Sequence, residues 1–142
     1  MAINILLVDD EIPFLETMTR RLTKREFITA SASGGHEAIR LLEKNDDVEI
    51  VILDVKMPEM DGLQTLKIIR QRFPLVEVIM LTGHATIESA IEGMKLGAFD
   101  YLMKPCDMEE LLSKVREAAM KKKRQNEKII EAQLKKITTS RI

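Results

Sequence analysis

Four apolar runs in this chain each end in a side chain that can do chemistry. Asp9-Asp10 follow Ile5-Leu6-Leu7-Val8, and Asp54 follows Ile50-Val51-Ile52-Leu53. Thr82 follows Val78-Ile79-Met80-Leu81, and Lys104-Pro105 follow the stretch from Ala98 to Met103. Short runs of Ile, Val, Leu and Met with little polar alternation are what strands look like when helices cover both faces of a sheet. Open sheets of that kind bind ligands at the carboxyl ends of their strands. Packing alone gives no reason for an acid pair, an acid, a hydroxyl and an amine to converge on one edge.

Strands are expected over residues 3–8, 27–32, 49–53, 76–81 and 98–103. Helical spacing fills the gaps between them. Phe14, Met18 and Leu22 recur at i, i+4 and i+8, and Ala38, Leu41 and Leu42 mark a second face. Leu63, Leu66 and Ile69 or Arg70 mark a third that stops before Pro74, and Ile87, Ile91, Met94 and Lys95 a fourth. Thr86 with Glu88 suits the start of the fourth helix and Gly97 its end. Asp107-Met108-Glu109-Glu110 has the spacing of a capping box, and the last helix runs on well past Leu111, Leu112 and Val115. Five β-α units predict an α/β fold, a doubly wound five-stranded parallel sheet in three layers with right-handed crossovers.

The 142 residues make one domain by size, long enough to bury about 68–70% of the unfolded surface. With 45% hydrophobic and 32% charged residues the chain reads as globular and not disordered. The lone Cys106 excludes an internal disulfide and fits a reducing compartment. No apolar run approaches the roughly 18–20 residues of a membrane span, so a cytoplasmic protein is expected.

Three carboxylates at one edge repel one another, by about 4 kcal/mol per pair at about 4 Å and an effective dielectric near 20. They stay ionised together only beside a cation. Lys104 supplies one positive charge, and a divalent ion is the other natural answer. Oxygen ligands with no neighbouring His or Cys favour Mg²⁺ or Mn²⁺ over zinc. Asp54 beside metal and amine is then a candidate nucleophile toward a phosphoryl group, forming an acyl phosphate.

Val8-Asp9-Asp10-Glu11, Asp54-x-x-Met57-Pro58-x-Met60-Asp61-Gly62, Leu81-Thr82-Gly83 and Tyr101-x-x-Lys104-Pro105, in this order, resemble a response-regulator receiver domain of two-component signalling. The resemblance covers residues 1–120 with essentially no gaps, and Leu81 to Pro105 is most similar to receivers of the NtrC class. It implies the flavodoxin-like receiver fold and a phosphoprotein switch, not an enzyme in the ordinary sense. Asp54 would be the phospho-acceptor for a sensor histidine kinase. Asp10, Asp54 and the backbone carbonyl of Lys56 would hold Mg²⁺, with Asp9 acting directly or through a water. Lys104 would contact the phosphoryl oxygen, its bond to Pro105 cis. Thr82 would reach the phosphate and Tyr101 would turn inward. Lys56 and His84 stand where the family tunes loss of the phosphoryl group.

Each residue has a plainer reading. Asp9 and Asp10 suit N-caps before Pro13, Asp54 and Asp61-Gly62 suit turns, and Thr82 suits a helix cap. Lys104 taken singly is a solvated lysine and Tyr101 an edge-strand packing residue. Their conjunction outweighs these readings. His36 and His84 carry no partner pattern. A haloacid-dehalogenase-type phosphohydrolase needs an acid two residues after its nucleophile, where this chain has Lys56. A flavin mononucleotide carrier needs a hydroxyl- and glycine-rich loop after the first strand, where this chain has Asp9-Asp10-Glu11. A stand-alone phosphorelay receiver and a phosphorylation-independent interaction module are the remaining alternatives. The latter normally lacks one of Asp10, Asp54 or Lys104.

Residues 121–142 hold eight basic side chains against Glu127 and Glu131, a net of +6, so residues 1–120 carry −7 within the overall −1. The Lys121–Arg124 cluster reads as a solvated helix face, and no direct contact with nucleic acid is expected of the receiver. Residues 121–142 are expected to be a helical extension or linker to an output domain, with transcription as the expected output. Leu112, Val115 and Ala119, followed by Ile130, Leu134 and Ile137 with Asn126 on the same stripe, suit a parallel coiled coil and hence a homodimer.

Overall fold

The computed structural model describes residues 2–83 and 86–140, with side chains as far as residue 136 in the last helix. Strands β1 (Asn4–Val8), β2 (Ile28–Ala32), β3 (Ile50–Leu53), β4 (Glu77–Thr82) and β5 (Asp100–Met103) alternate with five helices. These are α1 (Ile12–Lys24), α2 (Gly35–Lys44), α3 (Gly62–Arg72), α4 (Ile87–Lys95) and α5 (Met108–Ser140). The strands form one parallel sheet in the order β2-β1-β3-β4-β5. Strand order changes direction between β1 and β3, which places the ligand crevice of such a sheet at their carboxyl ends.

The apolar runs feed two cores at once. Leu6, Val8, Val51, Leu53, Val78 and Met80 point to one face, against Ala38, Ile39 and Leu42 of α2 and Leu66 and Ile69 of α3. Ile5, Leu7, Ile50, Ile52, Ile79 and Leu81 point to the other, against Leu15, Met18 and Leu22 of α1 and Leu111, Leu112, Val115 and Ala118 of α5. The period of two in each strand is hidden in the sequence because both faces are buried.

The boundaries move in an informative way. Residues 3, 27, 49, 76, 98 and 99 precede the ladders, and Phe27 instead returns its N–H to the Leu22 carbonyl at the end of α1. β4 reaches one residue further than expected. Lys104 donates its N–H to the Thr82 carbonyl at 2.9 Å, so Thr82 is held inside the sheet. Gly97 adopts φ +101° just past α4, and the N–H groups of Gly97 and Ala98 close back on Met94 and Gly93.

Helix α4 departs from the usual amphipathic arrangement. Its stripe of Ile87, Ile91 and Met94 is 78%, 50% and 47% exposed. The helix packs instead through Gly93, where Leu63, Tyr101 and Met80 come close to the backbone. A helix seated on its glycine turns its larger residues outward.

Helix α5 spans 33 residues, about 50 Å at 1.5 Å per residue. Its first half lies on the sheet, and further along Ile129, Ile130 and Leu134 are exposed. Where the two halves meet, Glu77 stands at the amino end of β4, fully buried, on the same face as Ile79 and Leu81. Neither carboxylate oxygen accepts a hydrogen bond, and Lys121 of α5 approaches Oε1 at 3.4 Å from a half-exposed position. A buried ion pair without further donors is a weak stabiliser, because desolvation offsets most of the attraction. Glu77→Val is therefore expected to raise stability by about 1 kcal/mol. Lys121→Met, which strands the buried acid, is expected to lower it by about 1–3 kcal/mol, discounted for the exposure of Lys121. Urea unfolding midpoints of the two variants against wild type check both signs.

Candidate functional site

Just past the carboxyl ends of β1 and β3 stand two buried acids, Asp9 and Asp54. Asp9 and Asp54 are each 2% exposed. The Asp9 N–H donates to the Ala32 carbonyl and the Asp54 N–H to the Val8 carbonyl, so both backbones are extensions of the ladder. A carboxylate placed this way is aimed by the sheet and not by a mobile loop.

The start of α3 pins Asp54 from the other side. Asp61 caps that helix, accepting from the Gln64 N–H at 2.8 Å while the Gln64 side chain accepts from the Asp61 N–H at 3.0 Å. Gly62 then donates its N–H to the Val55 carbonyl at 2.6 Å. A Cβ on Gly62 would overlap the Asp54 carbonyl oxygen and lie 2.7 Å from Val55 Cα, so only glycine allows α3 to start against the acid's own backbone. The loop between them holds Glu59 at φ +64°, a conformation a glutamate rarely adopts.

The structure brings together Asp9, Glu11 and Asp54, whose ligand oxygens lie within 4.8 Å of one another. Asp10 is exposed and stands outside that triplet, at a rim shared with Glu11, Lys56, Met57 and Pro58. Glu11 is the residue that reading the acid pair missed. Its N–H donates to Asp9 Oδ1 at 2.9 Å, an Asx turn that folds the chain over two residues and swings Glu11 toward the mouth. The signal was present, since aspartate side chains commonly bond the backbone two residues on, and Asp9 stands just before α1. Glu11 is the N-cap of α1 and makes no side-chain cap bond, so neither Asp9 nor Asp10 is the capping residue.

Lys104 arrives from β5, with its bond to Pro105 cis. Its ammonium donates to Asp9 Oδ2 at 2.6 Å and to Glu11 Oε1 at 3.2 Å. The Phe14 ring lies beneath it, with Nζ 4.0 Å from the centroid. Thr82 is fully buried at the end of β4. Tyr101 is half-buried on β5, its hydroxyl 2.9 Å from Ser89 Oγ. Ser89 and Thr86 form a capping box at the start of α4. Thr86, not Thr82, is thus the helix cap, and Thr82 keeps its place at the sheet edge. His84 lies outside the described residues. Val55, next to Asp54, donates its N–H to Asp54 Oδ1 at 2.8 Å.

Burial is the largest influence on both Asp9 and Lys104. Burial pushes the Asp9 carboxyl above its ordinary value, the hydrogen bonds from Lys104 and the Glu11 N–H pull it back, and the charge of Asp54 pushes it up again. Burial alone would lower Lys104, but its hydrogen bond to Asp9 and the charges of Asp9 and Asp54 outweigh that and hold the ammonium above the ordinary lysine value. The cation gains from the cluster while the acid beside it does not, because burial dominates for Asp9. Three acids facing Lys104, with oxygen ligands only, form a donor set that fits a hard divalent cation.

Stability should depend on pH with a definite sign. Asp9 binds its proton more tightly in the folded chain than in the unfolded one. It therefore favours folding at acid pH, and that contribution fades as pH rises past the ordinary 3.8. In chelator, unfolding free energies from about pH 3.5 to about pH 7 should carry this decline, and Asp9→Asn should flatten it. An unchanged slope in the variant would assign the decline to other groups.

Known proteins resemble this chain in sequence and in fold. The family model described as "Response regulator receiver domain" matches residues 5–116. The DNA-binding transcriptional regulator NtrC of Proteus hauseri is 31% identical over 115 residues, covering 81% of this chain and 24% of that protein. The regulatory protein AtoC of Escherichia coli K12 is 39% identical over 111 residues, covering 78% of this chain and 24% of that protein. A response regulator receiver domain protein of Clostridium thermocellum superposes with a TM-score of 0.81 at 35% identity, over 85% of this chain and 97% of that one. The chain thus spans about a quarter of the length of these curated relatives. The strand-end acids, the lysine from β5 and these matches together make the chain a member of the response-regulator receiver family.

Proposed function

We propose that this receiver takes a phosphoryl group onto Asp54 from the phosphohistidine of a sensor histidine kinase, with Mg²⁺ as the required cation. The observation that carries this is the buried Asp54 carboxylate in one cluster with Asp9 and Glu11, facing the ammonium of Lys104. An Asp54 oxygen attacks phosphorus, the P–N bond breaks, and the histidine nitrogen leaves with the electron pair. Asp10, Asp54 and the Lys56 carbonyl would hold Mg²⁺, with Asp9 acting directly or through a water and Glu11 at the same mouth; Mn²⁺ has the same ligand preference. The ion supplies charge neutralisation for the phosphoryl oxygens. Asp54 supplies the nucleophile, fixed in direction by the Val8 carbonyl and the start of α3. Lys104 supplies a donor that exchanges its carboxylate partners for a phosphoryl oxygen, and Thr82 a hydroxyl at the adjoining strand end.

The added charge biases a pre-existing equilibrium. Thr82 drawn toward the phosphate leaves space for Tyr101, a half-buried ring whose hydroxyl contacts Ser89 at the start of α4. The readout face is α4-β5-α5. Its exposed Ile87, Ile91, Met94 and Met103 form the kind of apolar surface that partners cover. The output acted on is transcription, the process named for the relatives NtrC and ZraR, and the setting is the cytoplasm. No helix among the described residues is long and apolar enough to cross a membrane.

Incubation with acetyl phosphate and Mg²⁺ should add one phosphoryl group, mapped to Asp54 by peptide mass. Asp54→Asn or chelator should abolish it while the fold persists. Beryllofluoride, standing in for the phosphoryl group, should shift amide resonances across residues 84–106. Stoichiometric label on the Asn variant, or shifts confined to residues touching the ligand, would sink the reading.

We also infer that residues 121–142 form a dimerising extension of the receiver body over residues 1–120. The support is the unbroken helix α5 and its exposed Ile130 and Leu134, which a parallel partner helix would cover. Ile137, the next position of that stripe, has a side chain outside the described residues. The full chain should sediment as a dimer at tens of micromolar, roughly where weak association shows, and a chain ending at Ala119 as a monomer. Two monomers would make the extension a linker only.

A further inference from the structure

We propose that Phe14 is a positioning residue for phosphoryl transfer, its ring keeping the Lys104 ammonium docked at the strand-end acids until a phosphoryl group arrives. The inference rests on the reading of Asp54 as phospho-acceptor.

Lysine is a poor choice for a fixed charge. Its ammonium is strongly hydrated and sits on a flexible four-carbon stem. Here that stem crosses from β5 to β1, and the side chain is only 14% exposed. Two carboxylates take hydrogen bonds from Nζ, at 2.6 Å from Asp9 and 3.2 Å from Glu11. Glu11 is 61% exposed, so that second bond competes with water. The Phe14 ring, 4.0 Å from Nζ, closes a further side of the ammonium with its electron-rich face. Phe14 can do this because its neighbour Leu15 is buried with Met18 and Leu22 in the core beneath α1, which fixes the helix against the sheet.

The ring and the acids differ in what they do to the reaction. Both acids compete with the phosphoryl oxygens for the ammonium's protons. The ring claims no lone-pair geometry and asks only that the charge stay near its face. It restricts the search of the lysine stem without tying up a donor. The ammonium stays close to Asp9 with its protons available to an arriving phosphoryl group.

Phe14 is also half-buried against the α1/α5 core, so a packing role is the rival. The two roles separate by whether the effect needs Lys104. Initial rates of Asp54 labelling by acetyl phosphate with Mg²⁺ should be measured on the full chain, on Phe14→Leu, on Phe14→Tyr, and on both Lys104→Met and its combination with Phe14→Leu. Phe14→Leu should slow labelling by about 3- to 30-fold, the equivalent of a partly to fully desolvated cation-ring contact. Phe14→Tyr, which keeps an aromatic face, should restore most of the rate. In the Lys104→Met background the Leu substitution should change nothing further. Proton resonances of the Lys104 terminal methylene, shifted upfield by the ring in wild type, should move toward ordinary lysine positions in Phe14→Leu. A wild-type rate in Phe14→Leu, an equal slowing with Lys104 replaced, or an unmoved methylene resonance overturns the proposal. Absence of label on the wild-type chain would instead remove the Asp54 reading beneath it.

Discussion

Mutual repulsion among the carboxylates of Asp9, Glu11 and Asp54 is the constraint on which the rest of this molecule turns. Ligand oxygens within 4.8 Å of one another cost about 3–4 kcal/mol per ionised pair at an effective dielectric near 20. Local backbone donors, the Glu11 N–H on Asp9 and the Val55 N–H on Asp54, bring hydrogen bonds but no charge. Lys104 lies 95 residues from Asp9 in sequence, so its neutralising charge appears only when β5 has joined the sheet beyond β4. Charge balance is a tertiary property here, and among the described residues it remains incomplete, with the Lys104 ammonium set against three acids.

Helix α5 connects the two ends of that sheet. It begins just after Lys104 and Pro105, packs Leu111, Leu112, Val115 and Ala118 across the α1 side, and passes Glu77 at the amino end of β4. Whatever tilts its first turn is transmitted along a rod about 50 Å long. Glu77 and Lys121 form an odd fulcrum, since a buried carboxylate without hydrogen-bond donors holds by charge more than by geometry.

Much of the fold and the site was legible in the residues themselves. Apolar runs of Ile, Val, Leu and Met in β1, β3 and β4 made a doubly covered parallel sheet the natural reading, and the acids, hydroxyl and amine that follow them marked the candidate site. The features that stayed hidden did so for physical reasons. The outward stripe of α4 looks identical to an inward one in sequence, and only the packing of Gly93 beside Leu63, Tyr101 and Met80 shows which side faces the sheet. Which two of the three consecutive acids share the mouth depends on the Asx turn at Asp9, a backbone event with no periodicity. Phe14 read as one member of the α1 core face, since spacing reports which side a residue faces and not that a lysine from β5 ends above it. The burial of Glu77 contradicts its composition outright, because strands are expected to exclude an acid that has no donor.

The hydroxyl of Ser89 shows how Tyr101 is held. A serine hydroxyl has one proton and two lone pairs, enough for three hydrogen bonds. Four groups approach it: the Thr86 N–H, Thr86 Oγ1, the Thr86 carbonyl and the Tyr101 hydroxyl. The three from Thr86 belong to the helix cap and can fill it without help. Tyr101 is the supernumerary claimant, so its departure leaves no unfilled valence behind on Ser89. The ring is thus detained without being bolted, and the first turn of α4 keeps its full complement of bonds whichever way the tyrosine faces.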